Sequence, residues 1–331
     1  MRIAKLFYLL IALLICYMVA CKQVPDKGQE TTNKSITTND TEERANELLS
    51  TTATFFPDFE EVDLTIDSIN IHAVKGGSGP PLLLLHGAPE SHIMWKEIAP
   101  ELTKKYSVVA PDLRGYGRSD KPAEGDYSKR RMAIDQVELM KKLGHEKFSV
   151  VSHDRGSHVA RRLAKDYPDV VDKLVIMDII PATYVWEHVD AKVAERYVFW
   201  LFWTQSYPMP EKMMGPQAAA FAKMTAGDDT KAGEDYAATN GTIEAFHAMC
   251  EDYRASKGID IEHDKADSHL KISAPSLVIW GKQSNSSDFD YHKIWNDEIE
   301  NVSFLELDCG HFVVKERPAK VLSAILPFLE N

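Results

Sequence analysis

Val150-Val151-Ser152-His153-Asp154-Arg155-Gly156-Ser157-His158-Val159-Ala160 is the stretch whose reading decides the fold. The mostly apolar run from Phe148 to Val151 predicts a buried strand, and Val159 to Ala164 predicts a helix. Between them Asp154 stands at the tip of a tight turn, with small residues at Ser152 and Gly156. Strand, sharp turn and helix together form the setting in which a nucleophile is presented. Backbone N–H groups and a helix N-terminus near that tip favour an ionised carboxylate. A carboxylate suits displacement at an sp³ carbon bearing a leaving group, which gives an alkyl ester on the enzyme. Against an ester or amide it would form an anhydride, so the residue type disfavours esterase, lipase and protease chemistry. The competing structural role for Asp154 is a helix cap.

Working outward, Val62, Leu64 and Ile66 alternate with Asp63 and Thr65, and a second strand-like run spans Ile69 to Val74. Asp67-Ser68 between them predicts a hairpin. Leu82–Leu85 and Tyr106–Ala110 read as strands buried on both faces. Met94–Leu102 reads as helical, and Tyr127–Leu143 as a long amphipathic helix ended by Gly144. Lys173–Met177, Ser276–Trp280 and Val302–Leu307 are further strands, and Pro318–Leu329 is a closing helix. From Leu82 onward strands and helices alternate, so the sheet is expected to be mostly parallel. Ligands of such sheets bind beyond the carboxyl ends of the strands. Residues 182–265 break the alternation with an aromatic-rich helical stretch and are expected to form an inserted cap between two parts of the core, 55–181 and 266–331.

Three stretches supply partners for Asp154. His86-Gly87-Ala88-Pro89 ends the Leu82 strand, and the Ala88 N–H, with that of Arg155, is placed to form an oxyanion hole. His311, after the last strand, is the natural base to activate water. Asp178, at the end of the strand after the elbow helix, is the candidate to orient His311; Asp288 and Asp290 are rivals. His86, His153 and His158 read as hydrogen-bonded support. The run from His263 to His269 reads as a solvated loop without metal-ligand spacing.

With 331 residues the chain is long enough for a large core, and its net charge of −12 argues against nucleic acid or an anionic membrane surface as partner. Arg2 and Lys5 precede an apolar run from Leu6 to Ala20, the form of a secretory signal. Met18-Val19-Ala20-Cys21 resembles a bacterial lipobox, which implies cleavage after residue 20 and lipidation of Cys21. The polar residues 21–54 read as a tether. The protein is then expected in a bacterial cell envelope, periplasmic or at the outer membrane, touching membrane only through its lipid. Cys250 and Cys309 leave room for one disulfide. Nothing in the sequence fixes the oligomeric state.

His86-Gly-Ala-Pro, Asp112-Leu-Arg-Gly-Tyr-Gly-Arg-Ser119, His153-Asp-Arg-Gly156 and Gly310-His311 resemble the α/β-hydrolase superfamily over residues 55–331. They look most like its Asp-nucleophile branch of haloalkane dehalogenases, epoxide hydrolases and haloacetate dehalogenases. Met177-Asp-Ile-Ile-Pro181 and Glu251-Asp-Tyr-Arg-Ala255 are similar to the haloacetate (fluoroacetate) dehalogenases. The resemblance implies an α/β-hydrolase fold with a mostly parallel central sheet, flanking helices and a helical cap. It implies Asp154 as nucleophile, His311 as base and Asp178 as its acid. Arg155 matches a residue that binds a substrate carboxylate; Trp200 and Tyr253 match donors to a departing halide. Two positions depart from the family: His158 stands where a second carboxylate-binding arginine is expected, and Phe199 where a histidine precedes the tryptophan. Both argue against fluoroacetate as the native substrate.

The expected activity is hydrolysis of a small molecule at an sp³ carbon through an aspartyl ester, without metal or organic cofactor. An epoxide hydrolase, with Tyr253 and either Tyr184 or Tyr207 polarising the oxygen, is the alternative. A non-catalytic binding module on the same scaffold is the third reading.

Overall fold

The computed structural model describes residues 54–331. The signal, lipobox and nearly all of the tether lie outside the described residues. Eight strands form one sheet: β1 (Glu60–Ile66), β2 (Ile69–Gly76), β3 (Pro81–Leu85), β4 (Ser107–Pro111), β5 (Phe148–His153), β6 (Val171–Met177), β7 (Ser276–Gly281) and β8 (Val302–Leu307). Their spatial order is β1-β2-β4-β3-β5-β6-β7-β8. β2 runs antiparallel to both its neighbours, and every other pairing is parallel.

The hairpin forms at the expected place, with Asp67 at φ 57° in the turn. Leu82 to Leu85 of β3 are fully buried, each contributing on the order of 1.5–3 kcal/mol by leaving water. Met94–Leu102 is not one helix. It divides into a short 3₁₀ turn, His92–Trp95, and a helical turn, Ala99–Leu102. The Ser91 hydroxyl caps the first turn and Pro100 lies in the second, so two starts replace one long run.

Helices between β6 and β7 run from Ala182 to Ala266. The segment 263–269 corrects the expected solvated loop, because its first residues close a helix, Ile259–Ala266. Asp264 accepts from Arg161, at 2.8 Å, and from Thr183, while Asp267 accepts from Arg162 at 2.7 Å. Arg161 and Arg162 belong to the helix that follows β5, so these acids fasten the last cap helix to the core. Cys250 and Cys309 are buried free thiols rather than a disulfide. Among the described residues no helix is long and apolar enough to cross a membrane.

Candidate active site

The register of the sheet brings the site together. His153 of β5 lies opposite Met177 of β6, which lies opposite Ile279 of β7; on the other side, Ser152 lies opposite Leu85 of β3. The residues just past those ends, Ala88, Asp154 and Asp178, therefore gather at one edge.

Asp154 opens the elbow helix, Asp154–Asp166, at φ 45°, and Asp178 has φ 50°. Each is a left-handed conformation that costs a non-glycine residue roughly 1–3 kcal/mol and persists only where the surroundings impose it. Gly156 is what lets the elbow helix seat against β3: a Cβ there would lie 2.4 Å from the Leu85 carbonyl oxygen and 2.5 Å from that of His86. The Ala88 N–H donates to Asp154 Oδ2 at 3.0 Å. Burial raises the pKa of Asp154, but His311, His153, the Ala88 amide and Arg155 outweigh it, and the carboxyl is held below its ordinary value.

His311 Nδ1 meets Asp178 Oδ2 at 2.5 Å, and Asp178 Oδ1 accepts from the Gly281 N–H at 2.8 Å. Burial lowers the pKa of His311, while Asp178, Asp154 and Glu90 raise it to about 9. The rivals of Asp178 are committed elsewhere. Asp288 is half-exposed and paired with Lys192 and Arg196, and Asp290 caps the helix Tyr291–Glu298. His86 donates from Nδ1 to the Gly87 carbonyl and accepts the Leu113 N–H on Nε2. His153 donates from Nε2 to the His311 carbonyl at 2.9 Å, so it supports the loop that carries His311.

The cap side is built from charged and aromatic groups. Arg155 is fully buried; Nε and Nη2 bond Asp252 Oδ2 and Oδ1 at 2.9 and 2.7 Å, and Nη2 also reaches the Ser256 hydroxyl. Its guanidinium lies 4.3 Å from the Tyr253 ring centre and 5.7 Å from that of Trp200. Trp200 meets Tyr253 edge-on at 5.7 Å. His158, buried against Trp200, has its pKa pushed well down by burial and then by Arg155 and Lys129. It is a neutral imidazole.

Phe199, expected among the substrate-binding residues, does not join them. It is 44% exposed and stacks on Trp203, 5.5 Å away, because the short helix Val198–Trp203 turns the two neighbouring side chains of 199 and 200 apart. Tyr207 is 66% exposed against His247, and Tyr184 stacks on His188, so neither partners Tyr253. Tyr197 instead reaches the Trp200 side of the site. It contacts Trp200 at 5.2 Å, and after burial, Asp178 and Asp154 are the charges that raise its pKa. It also lines a cleft of about 480 Å³ with Tyr184, Arg196 and Phe289. In sequence Tyr197 was one of twelve Phe, Trp and Tyr residues in the cap, with nothing to set it apart. Lys129, on a helix that read as merely amphipathic, was missed, and Asp252 lay inside the Glu251–Ala255 motif without being marked as the buried charge it is.

The family model of the alpha/beta hydrolase fold matches residues 80–318. A fluoroacetate dehalogenase of Burkholderia sp is 39% identical over 290 residues, which is 83% of this chain and 95% of that protein. A soluble epoxide hydrolase of Corynebacterium sp. (strain C12) is 30% identical, over 80% of this chain and 94% of its own. The crystal structure of an alpha/beta hydrolase from Nostoc sp PCC 7120 superposes with a TM-score of 0.80 at 41% identity, covering 83% of this chain and 99% of that one. The chain belongs to the α/β-hydrolase fold family.

Proposed function

We propose that this α/β hydrolase cleaves the carbon–halogen bond of small haloacids through a covalent ester on Asp154. The reading rests on one observation above the others: an ionised carboxylate at the elbow, held by the Ala88 amide, stands at the strand edge that also carries the His311–Asp178 pair. Its likeness to the dehalogenase of Burkholderia sp supports the substrate class.

In the first step an Asp154 carboxylate oxygen attacks the sp³ carbon. The carbon–halogen bond breaks, and the halide leaves into the donors of Trp200 and Tyr253. Arg155 receives the substrate carboxylate. In the second step water loses a proton to His311 and adds to the ester carbonyl, whose oxyanion takes the Ala88 and Arg155 N–H groups. Collapse breaks the acyl carbon–oxygen bond, the departing alkoxide takes the proton of the added hydroxyl to give the hydroxy acid and ionised Asp154, and His311 returns its proton to solvent. The ester carries no charge, so one of the interactions that raise His311 disappears when the ester forms. Its pKa then falls from about 9, so more of the imidazole is neutral and free to take a proton when water must be activated.

Epoxide hydrolysis is the second reading. Tyr197 and Tyr253 favour it, since both pack on Trp200 and both feel the Asp154 charge. For haloacids, the neutral His158 and the outward Phe199 favour chloride or bromide over fluoride as leaving group. The test is a turnover screen of chloro-, bromo- and fluoroacetate with halide detection, beside epoxides with diol detection. Chloride or bromide release supports the first reading and diol formation the second. Binding without turnover overturns both in favour of a binding module.

The N-terminus completes the proposal. Residues 1–20 are a secretory signal, and Cys21, lipidated, tethers the enzyme in a bacterial cell envelope. Palmitate incorporation that is lost in Cys21→Ala is the expected result; unlabelled wild-type protein overturns it.

A further inference from the structure

Next to Arg155 lies a set of buried charges that the proposed chemistry does not use. Lys129 begins the helix Lys129–Lys142, and its side chain is only 6% exposed. Its ammonium bonds Asp252 Oδ1. Asp252 is fully buried on the cap helix Ile243–Lys257 and also takes both Arg155 donors and the Tyr116 hydroxyl, at 2.6 Å. One carboxylate thus stands between two buried cations. The other nearby acid is Asp260, whose Oδ1 accepts the Lys129 N–H at 2.8 Å and whose Oδ2 is 4.0 Å from the ammonium.

Two side-chain nitrogens beside this cluster lack protein partners. Arg155 Nη1 and His158 Nε2 are buried and have no hydrogen-bond partner among the described residues. A buried donor left unmade is costly, about 1–3 kcal/mol, so these atoms point to a ligand. An arginine bound bidentately to one aspartate is close to neutral as a pair and attracts an anion weakly. Lys129 changes that balance by taking a share of Asp252. Burial, then Arg155, push the Lys129 ammonium well below the ordinary lysine range, and Asp260 pulls it back. The ion pair with Asp252, a carboxylate in direct contact with the nitrogen, favours the charged form. His158, neutral, contributes no charge.

We infer that Lys129 is a positioning residue that sets specificity: by sharing Asp252 it leaves the charge of Arg155 uncancelled at Nη1, and so selects substrates that carry a carboxylate beside the reacting carbon. The inference rests on the haloacid reading for its substrate class. It assigns the second positive charge of the pocket to the helix at 129, on the other side of Asp252, rather than to position 158 on the elbow helix.

The test uses the full chain in detergent and two substrates of like shape, chloroacetate and the neutral chloroacetamide. Lys129→Met should raise KM for chloroacetate about tenfold, the effect of one buried charge several ångströms away. It should leave kcat within about twofold and chloroacetamide unchanged, and Lys129→Arg should restore most of the loss. Equal losses on both substrates, or none on either, overturn the inference. If Lys129→Met does not fold, Asp260→Asn decides with the opposite sign: a lower KM for chloroacetate alone supports the inference, and an unchanged one overturns it. If the wild type turns over neither substrate, the haloacid reading has failed. Calorimetry with glycolate then still decides this one, since weaker binding by Lys129→Met supports it and equal binding overturns it.

Discussion

The two sides of Asp154 are held by different means. On the core side, backbone does the work: the Ala88 amide fixes Asp154, the Gly281 amide fixes Asp178, and strand register sets the spacing between them. On the cap side the same few ångströms are filled by long side chains, with Arg155, Lys129 and Tyr116 converging on the one carboxylate of Asp252. Backbone placement tolerates change around it, while a web of buried side-chain charges fails as a unit. The core side therefore suits the reacting groups, and the cap side suits the discrimination among substrates.

The largest expected effect lies on the core side. Asp154→Asn should lower kcat at least about 10⁴-fold, with unfolding free energy little changed, because the amide oxygen can still accept the Ala88 N–H. Replacing His311 with Gln should instead leave the first step and block the second. A mass increment on the peptide carrying Asp154 in the His311 variant, absent in the double variant, checks this; full halide release by Asp154→Asn would falsify it.

The cap side should break in the reverse pattern. Arg155→Met leaves Asp252 with Lys129 and Tyr116 but without its bidentate partner, and should cost about 3 kcal/mol, the low end for breaking a buried pair. Urea unfolding should show that loss, which Asp154→Asn should not. If Arg155→Met were as stable as the wild type, the contrast between the two sides would collapse.

A smaller effect separates the two sides by pH. His311 has a folded pKa of about 9, above the 6.5 of the unfolded chain. The folded state therefore binds the proton more tightly, and the stability this contributes is fully present below about pH 6.5. It is lost as pH rises through about 9. Unfolding free energy measured across that window should decline in the wild type and stay flatter in His311→Gln. Hydrolysis of the ester, unlike its formation, should slow as pH falls, because it needs the neutral imidazole.

What was legible in the sequence follows the same division. Asp154, Asp178, Ala88 and His311 lie within four residues of a strand end, and a strand end is visible as the close of an apolar run. Asp178 could be preferred over Asp288 and Asp290 only by its place after β6; the structure adds that those two are spent on Lys192, Arg196 and a helix cap. The cap resisted reading because helical periodicity does not say which of two adjacent aromatics faces inward. Lys129 was illegible for a related reason. A lysine in the first turn of an amphipathic helix reads as solvated, and only the cap helix folding over it, 123 residues later at Asp252, makes it a buried charge.

Phe199 gives the smallest expected effect and the finest test of this division. It occupies the position where the resemblance expects a donor to halide, next to Trp200 in sequence. In the structure it is 44% exposed and stacks on Trp203 and packs near Phe221. A half-exposed side chain on the outer side of the cap has little surface to lose, so Phe199→Ala should change stability by no more than about 0.5–1 kcal/mol and kcat for chloroacetate by less than about twofold. Phe199→His should then fail to improve fluoride release, since a donor at that position points away from Tyr253 and Trp200. A gain in fluoroacetate turnover by Phe199→His would mean that the helix Val198–Trp203 rotates on substrate binding, bringing position 199 inward and making the cap, rather than Arg155 alone, the element that chooses the leaving group.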